Sequence, residues 1–283
     1  MTKLSMTFPK QFSSKLPAVL GGDHGGVVAA VRIQGMIAPH GGGIGRHVVT
    51  AESVDEQLVR AFTTDHVKAV ALVINSPGGS PMQSEAIASR VRGLATKHKV
   101  PVLAFCEDVT ASGGYWVACA ADEIYAAATS MVGSIGVISS GFGFVDLMNR
   151  VGVERRVYTS GTEKARLDPF LPEQSEDVEW LSGLQSSMHE LFRDWVTERR
   201  GAKLDTTNDL FNGDVWLGAQ AHKLGLVDGV GGVRTVIDER FPGAEIEFVT
   251  PKRPLFARLG MPFPDPFGMD GVVSRLAWAR FGL

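Results

Sequence analysis

The run V-K-A-V-A-L-V-I-N at residues 67–75 constrains this chain more than any other feature. It is apolar at nearly every position, rich in β-branched residues and too short for a core helix, so it reads as a strand buried on both faces. Similar runs stand at 27–33 (V-V-A-A-V-R-I), 100–107 (V-P-V-L-A-F-C-E) and 123–127. Helical patterns separate them. One starts at Ser53, with Glu56 completing a capping box and Val54, Leu58, Ala61 and Phe62 on its apolar face. A second runs to about Lys97, with Ile87, Val91 and Leu94 inward. A third covers 115–121. Strands apolar on both faces and alternating with helices imply an α/β fold with a mostly parallel sheet covered on both sides. Ligands bind such sheets at the carboxyl ends of the strands. Two glycine-rich loops, 76–80 and 108–114, follow consecutive strands and are expected on the same edge.

The second half is more helical. Residues 153–159 read as a possible strand, and 172–199 as a long helix with Val178, Leu181, Leu184, Met188, Leu191, Phe192 and Trp195 recurring at three and four. Short helices at 217–224 and 233–241 and a last strand at 244–249 complete the body. The expected organisation is an irregular lead-in (1–26), one catalytic-size domain (27–250) and a tail (251–283) whose end, G-V-V-S-R-L-A-W-A-R-F-G-L, has the pattern of a short amphipathic helix. No stretch reaches the roughly 18 consecutive apolar residues of a spanning helix, and the N-terminus has no apolar core of a signal peptide. The expected location is therefore cytoplasmic, with peripheral membrane contact through the tail as an option.

The formal net charge of −3 in 283 residues gives no electrostatic footprint for nucleic acid. The two cysteines, Cys106 and Cys119, cannot make a disulfide framework and read as buried core residues. Of the seven histidines, none sits in a pattern that marks a catalytic base. His40 and His47 flank a glycine-rich stretch without the spacing of a zinc set, and His98, between two lysines, reads as exposed. No metal or cofactor is expected.

The chemistry is sought in the two loops. In D-V-T-A-S-G-G-Y, Ser112 stands at a strand-to-helix junction before two glycines. Small neighbours admit a substrate backbone, and the free N–H groups at a helix start can face an oxyanion; the alternative is that Ser112 only caps the helix. In N-S-P-G-G, proline and glycine set a turn that can aim backbone N–H groups in one direction, though an ordinary tight turn has the same composition.

Together, S-P-G-G-S at 76–80, A-S-G-G-Y-W-V-A from Ala111, G-S-I-G-V at 133–137 and S-G-T-E-K at 160–164 resemble, in order and spacing, the signal-peptide-peptidase (SppA) family, peptidase family S49, over about residues 27–249. The resemblance implies a crotonase- and Clp-protease-like superfold, a superhelix of β-β-α repeats. It implies a Ser–Lys dyad, with Ser112 the nucleophile, Lys164 its general base and Ser134 orienting the lysine. It also implies an oxyanion hole from the N–H groups of Gly79 (or, less favoured, Gly78) and Gly113. A serine hydroxyl needs a base to remove its proton, and a lysine serves as one when an apolar site disfavours its ammonium form; Glu163 is therefore expected to point away. The implied substrates are short apolar peptides such as signal-peptide remnants, and the implied state is a homo-oligomer in which serine and lysine come from neighbouring copies. The rival readings are a crotonase-like acyl-thioester enzyme, which shares the oxyanion loop but needs no Ser–Lys pair, and a non-catalytic scaffold of the same fold.

Overall fold

The computed structural model describes residues 25–39, 48–250 and 277–282. The lead-in to residue 24, His40 and His47 and most of the tail lie outside them; of the tail's expected helix, 277–279 form a helical turn.

The centre is a parallel sheet in the order β10-β1-β4-β5-β6-β9, built from β1 (Val27–Gln34), β4 (Val67–Ser76), β5 (Val102–Ala111), β6 (Glu123–Ala126), β9 (Gly229–Val230) and β10 (Glu245–Phe248). Alternate residues of each strand face opposite sides, and both sides are apolar. Ala29, Val31, Ile33, Val70, Leu72 and Ile74 join the larger core under helices α1 (Ala51–Phe62), α2 (Pro81–His98) and α3 (Gly113–Ala118). Val28, Ala30, Ala69, Ala71 and Val73 meet Val236 and Ile237 of helix α7 (Val233–Arg240) on the other side. The fold is thus α/β with a mostly parallel sheet, as expected.

Each long strand is followed near its carboxyl end by a short strand or a bent extension, and then by a helix. Short strands β2 (Met36–Ile37) and β3 (Val48–Val49) pair with each other beyond β1. The register between β4 and β5 breaks between Ile74 and Ser76, so that Ile74 pairs with Cys106 but Ser76 with Thr110. Short β7 (Met131–Gly133) then pairs with the extension of β5 at Val109–Ala111. This is the strand–short strand–helix repetition of a β-β-α superhelix.

The structure corrects several local expectations. Helix α1 is capped by Thr50, whose hydroxyl accepts from the Ser53 N–H (2.9 Å) while Ser53 Oγ accepts from the Thr50 N–H (3.0 Å). Ser53 is the third residue of the helix and closes the box instead of starting it, because the helix begins at Ala51; such a cap contributes about 1 kcal/mol. Strand β5 runs on through 108–111, which sequence reading placed in a loop, because its extension finds new partners in β4 and β7. Residues 153–159 form no strand, having no neighbouring strand to pair with. Residues 215–217 form strand β8 (Val215–Leu217), antiparallel to β7, and helix α6 (Gly218–Lys223) follows. His98 is half-buried and stacks on Phe62, 6.3 Å between ring centres.

Helices α4 (Val145–Val151) and α5 (Ser175–Arg200) depart from the layered plan. The last turns of α5 dock on the body. Phe192, Val196 and Arg200 are buried, Trp195 Nε1 donates to the Trp116 carbonyl (3.0 Å), and Arg199 donates to the carbonyls of Cys119 and Ala121 (2.9 and 3.0 Å). Among the described residues, no hydrogen bond or ion pair joins 138–191 to the sheet body. The polar and aromatic pairs of that arm among the described residues are internal: Arg155 pairs with Asp168, Arg166 with Asp177 (3.1 Å), and Phe144 stacks on Phe170 (5.3 Å). No helix among the described residues is long and apolar enough to cross a membrane.

Candidate active site

The carboxyl ends of β4 and β5 build the site. Ser112 precedes α3 with φ 52° and ψ −123°, in the left-handed half of backbone space that a residue with a Cβ rarely occupies. Such a conformation costs on the order of 1–3 kcal/mol and persists only where its surroundings fix it. Two backbone bonds do so: the Ser112 N–H donates to the Gly133 carbonyl (2.8 Å), and the Ser112 carbonyl accepts from the Trp116 N–H (2.9 Å). The side chain makes no capping bond. The strain therefore holds a half-buried hydroxyl that does no structural work among the described residues.

The 76–79 turn lies against this serine. A Cβ added to Gly78 would stand 2.7 Å from both the Ser112 Cβ and the Gly113 nitrogen, so only glycine lets the two loops come this close. The turn is fixed from outside by β2: the Ile37 N–H donates to the Gly78 carbonyl (2.8 Å), and the Ile37 carbonyl accepts from the Ser80 N–H (2.8 Å). The N–H groups are distributed unequally. That of Gly78 is occupied, donating to Ser76 Oγ (3.1 Å). Those of Gly79 and Gly113 have no backbone acceptor among the described residues. They are also near each other, since a Cβ on Gly113 would lie 3.3 Å from the Gly79 nitrogen. Two free donors flank one nucleophile-sized hydroxyl.

Ser134 also has a left-handed backbone (φ 52°) and is buried. Its N–H donates to the Asp214 carbonyl (2.6 Å), and its hydroxyl makes no hydrogen bond among the described residues. Because Ser112 bonds to the adjacent Gly133, nucleophile and Ser134 are held by one piece of backbone. Lys164 stands elsewhere. It lies on the arm, exposed, without an ion pair among the described residues. Glu163 turns to Arg166 (2.6 Å), as expected. The structure thus brings together Ser112, Gly78, Gly79, Gly113 and the segment of Ser134; no contact joins Lys164 to them. Cys106 and Cys119 are buried, and burial pushes both thiols up to about 12, which leaves them inert at neutral pH.

Sequence reading passed over two residues of this edge. Asn75 closes an otherwise apolar strand, and Ser76 is a fully buried hydroxyl that takes up the Gly78 N–H. Polar residues ending a buried run were the available signal.

A strained, unencumbered serine beside two free backbone amides on a parallel α/β fold has the parts that an acyl-transfer site requires. The comparisons narrow it: the sequence model of peptidase family S49 matches residues 95–247, and the chain belongs to that family. Among curated relatives, a Na(+)/H(+) antiporter NhaA of Brucella abortus (strain 2308) is 43% identical over 272 residues, 90% of this chain and 37% of that one. The chloroplastic serine protease SPPA of Arabidopsis thaliana is 32% identical over 212 residues, 73% of this chain and 30% of its own. Protease 4 of Haemophilus influenzae is 30% identical over 212 residues, 75% of this chain and 34% of its own. The chain thus spans about a third of the length of these relatives, 30 to 37%.

Proposed function

We propose that this chain is a serine peptidase that cleaves short apolar peptides through an acyl-enzyme on Ser112. Lys164 is the general base, supplied by a neighbouring copy in a homo-oligomer. Ser112 Oγ attacks the scissile carbonyl carbon as the free amine of Lys164 takes its proton. The carbonyl oxygen, now negative, accepts from the N–H groups of Gly79 and Gly113. Collapse expels the amine half of the peptide with the proton returned by the lysine, and water repeats the sequence on the ester. Ser134, with its free hydroxyl beside the nucleophile's backbone, receives the incoming ammonium and orients it.

The observation that carries this reading is the uncapped, left-handed Ser112 between two unpaired backbone amides. A lysine base needs an apolar enclosure, and the isolated chain leaves Lys164 in solvent. An arm that presents Lys164 together with exposed Phe142, Leu147, Tyr158 and Leu191 has the composition of an interface in need of a partner surface. The protease names of relatives support peptide hydrolysis, and signal-peptide remnants are one member of the proposed apolar-peptide class.

A fluorophosphonate probe followed by peptide mapping tests the nucleophile. Labelling of wild type at Ser112, with loss of both labelling and peptide hydrolysis in Ser112→Ala, is expected. Hydrolysis that survives Ser112→Ala would overturn the assignment.

A further inference from the structure

The geometry points to Asn75 as a positioning residue that, with Asp108, locks the oxyanion turn to the nucleophile strand. This deepens the peptidase reading and rests on it. The two halves of the site come from different strands: Gly79 follows β4, while Ser112 and Gly113 follow β5. Their relative placement depends on the β4–β5 ladder, yet the ladder is broken at this edge. Between the pairs Ile74–Cys106 and Ser76–Thr110, the single residue Asn75 faces Glu107, Asp108 and Val109. Two more residues on one strand than the other leave ladder groups without partners and bend the longer strand locally.

The Asn75 side chain fills that gap. Its Oδ1 accepts from the Val109 N–H (3.2 Å), and its Nδ2 donates to Asp108 Oδ2 (2.6 Å). Its backbone carbonyl accepts from the Gly35 N–H (2.9 Å), two residues before Ile37, which holds Gly78 and Ser80. Asn75 is buried whereas Asp108 is exposed. One residue thus ties together three pieces: its side-chain amide holds the strand leading to Ser112, and its backbone joins the turn holding Gly79 to the segment that braces the turn. A carboxylate or a simple apolar residue cannot do the same, because position 75 needs one acceptor and one donor in a fixed fork. A second side-chain bond across this bulge runs from Thr110 Oγ1 to the Ile74 carbonyl (3.0 Å). It fixes the strand beyond the bulge and not the residue before the turn.

A displacement of about 1 Å between reacting groups can cost on the order of 10²-fold in turnover. The reciprocal swap tests the assignment. Asn75→Asp sets two carboxylates face to face and is expected to lower kcat about 100-fold with KM within about twofold. Asp108→Asn loses less, because the new amide can turn its oxygen to the same donor. The double variant N75D/D108N restores the fork with donor and acceptor exchanged, and kcat recovers to within about fivefold of wild type. Asp108→Ala, at an exposed position that no core packing depends on, removes the acceptor alone and lowers kcat without moving KM. Melting curves establish that each protein is folded at the assay temperature. Should the double variant stay as slow as Asn75→Asp, or should Asp108→Ala and Asn75→Asp both turn over like wild type, the positioning role is wrong. Either result leaves the peptidase reading intact so long as Ser112→Ala is dead; hydrolysis that survives Ser112→Ala sinks that reading instead.

Discussion

The sheet body and the arm both carry large apolar side chains and use them in opposite ways. In the body, Val31, Leu72, Ile87 and Ile124 are sealed from water, as are Tyr115 and Leu226, joined by a hydrogen bond from the Tyr115 hydroxyl to the Leu226 carbonyl (2.7 Å). In the arm, Ile138, Phe142 and Tyr158 are 74, 78 and 90% exposed, and helix α4 has no buried residue at all. Apolar side chains in water bring no burial energy to offset the entropy of ordering the chain. The body carries its own reason to fold, whereas the described residues give the arm little apolar burial, which the neighbouring copy proposed above would supply. The proposed catalytic groups divide the same way, with Ser112, Gly79, Gly113 and Ser134 on the body and Lys164 on the arm.

Subunit mixing breaks the comparison most directly. Ser112→Ala and Lys164→Ala should each reduce hydrolysis by about 10³-fold or more, since a dyad acts as a unit. Mixed after dissociation and reassembled, the two dead proteins should regain activity, because an intact serine from one copy can meet an intact lysine from the other. A mixture as inactive as its components would place both groups within one chain. Next in size is the arm surface. Replacing Phe142 and Tyr158 by serine should dissociate the assembly in sedimentation experiments and abolish turnover with it. The body's unfolding free energy should move by no more than about 0.5 kcal/mol, as for ordinary surface changes.

The joint between the two regions gives a smaller effect. At the end of α5, buried Arg200 donates to the Gly225 carbonyl (2.8 Å) and to Asp228 (2.6 Å), which also accepts from Lys203 (2.7 Å) and the Ile124 N–H (2.8 Å). Burial, the largest influence on Asp228, pushes its carboxyl up; the bonds from Arg200, Lys203 and Ile124 outweigh it and hold the group below the ordinary carboxylate range. A carboxyl lowered in the folded state contributes stability above its unfolded value, and that contribution is lost as pH falls through the folded value. Asp228→Asn should therefore cost about 3 kcal/mol at neutral pH, by leaving a buried guanidinium short of its counter-charge. The gap from wild type should narrow in acid denaturation below about pH 4. An equal gap at pH 7 and pH 3 would show that the pair is not what joins α5 to the body.

The body was legible in the sequence for the same reason that it is self-sufficient. Runs such as 67–75 have one environment that satisfies them, and glycine is demanded at 78 by the close Ser112 loop and at 113 by the Ser84 hydroxyl of α2. What escaped depends on groups distant in sequence. The strand extension at 108–111 exists because β4 and β7 offer partners. The Thr50 cap follows from where the helix meets β3, although Ser53 with Glu56 had the same residue types. The expected strand at 153–159 shows the opposite error: V-E-R-R-V-Y-T has strand composition, but an arm without a neighbouring sheet gives it nothing to pair with. The candidate nucleophile and oxyanion glycines could be read as one motif because they sit on one edge. The partner of Lys164 could not, because none of the described residues encloses it.

The smallest prediction compares one substitution in the two regions. Gly93 in α2 and Gly183 in the projecting half of α5 are both exposed, both within helices, and a Cβ at either would meet nothing within 4 Å. Alanine removes backbone entropy from the unfolded chain equally at each, by roughly 0.5–1 kcal/mol. Helix α2 packs on the central sheet through Ile87, Val91 and Leu94 and melts with it, so Gly93→Ala should raise the body's Tm by about 2–4 °C for a domain of this size. Gly183→Ala acts on a helix whose first half touches the body through no hydrogen bond or ion pair among the described residues. In the dissociated chain it should slow amide exchange locally around residue 183 and leave the body's Tm where it was. Equal shifts from both substitutions in one cooperative transition would mean that arm and body unfold together, and the division between a self-sufficient body and a dependent arm would fall.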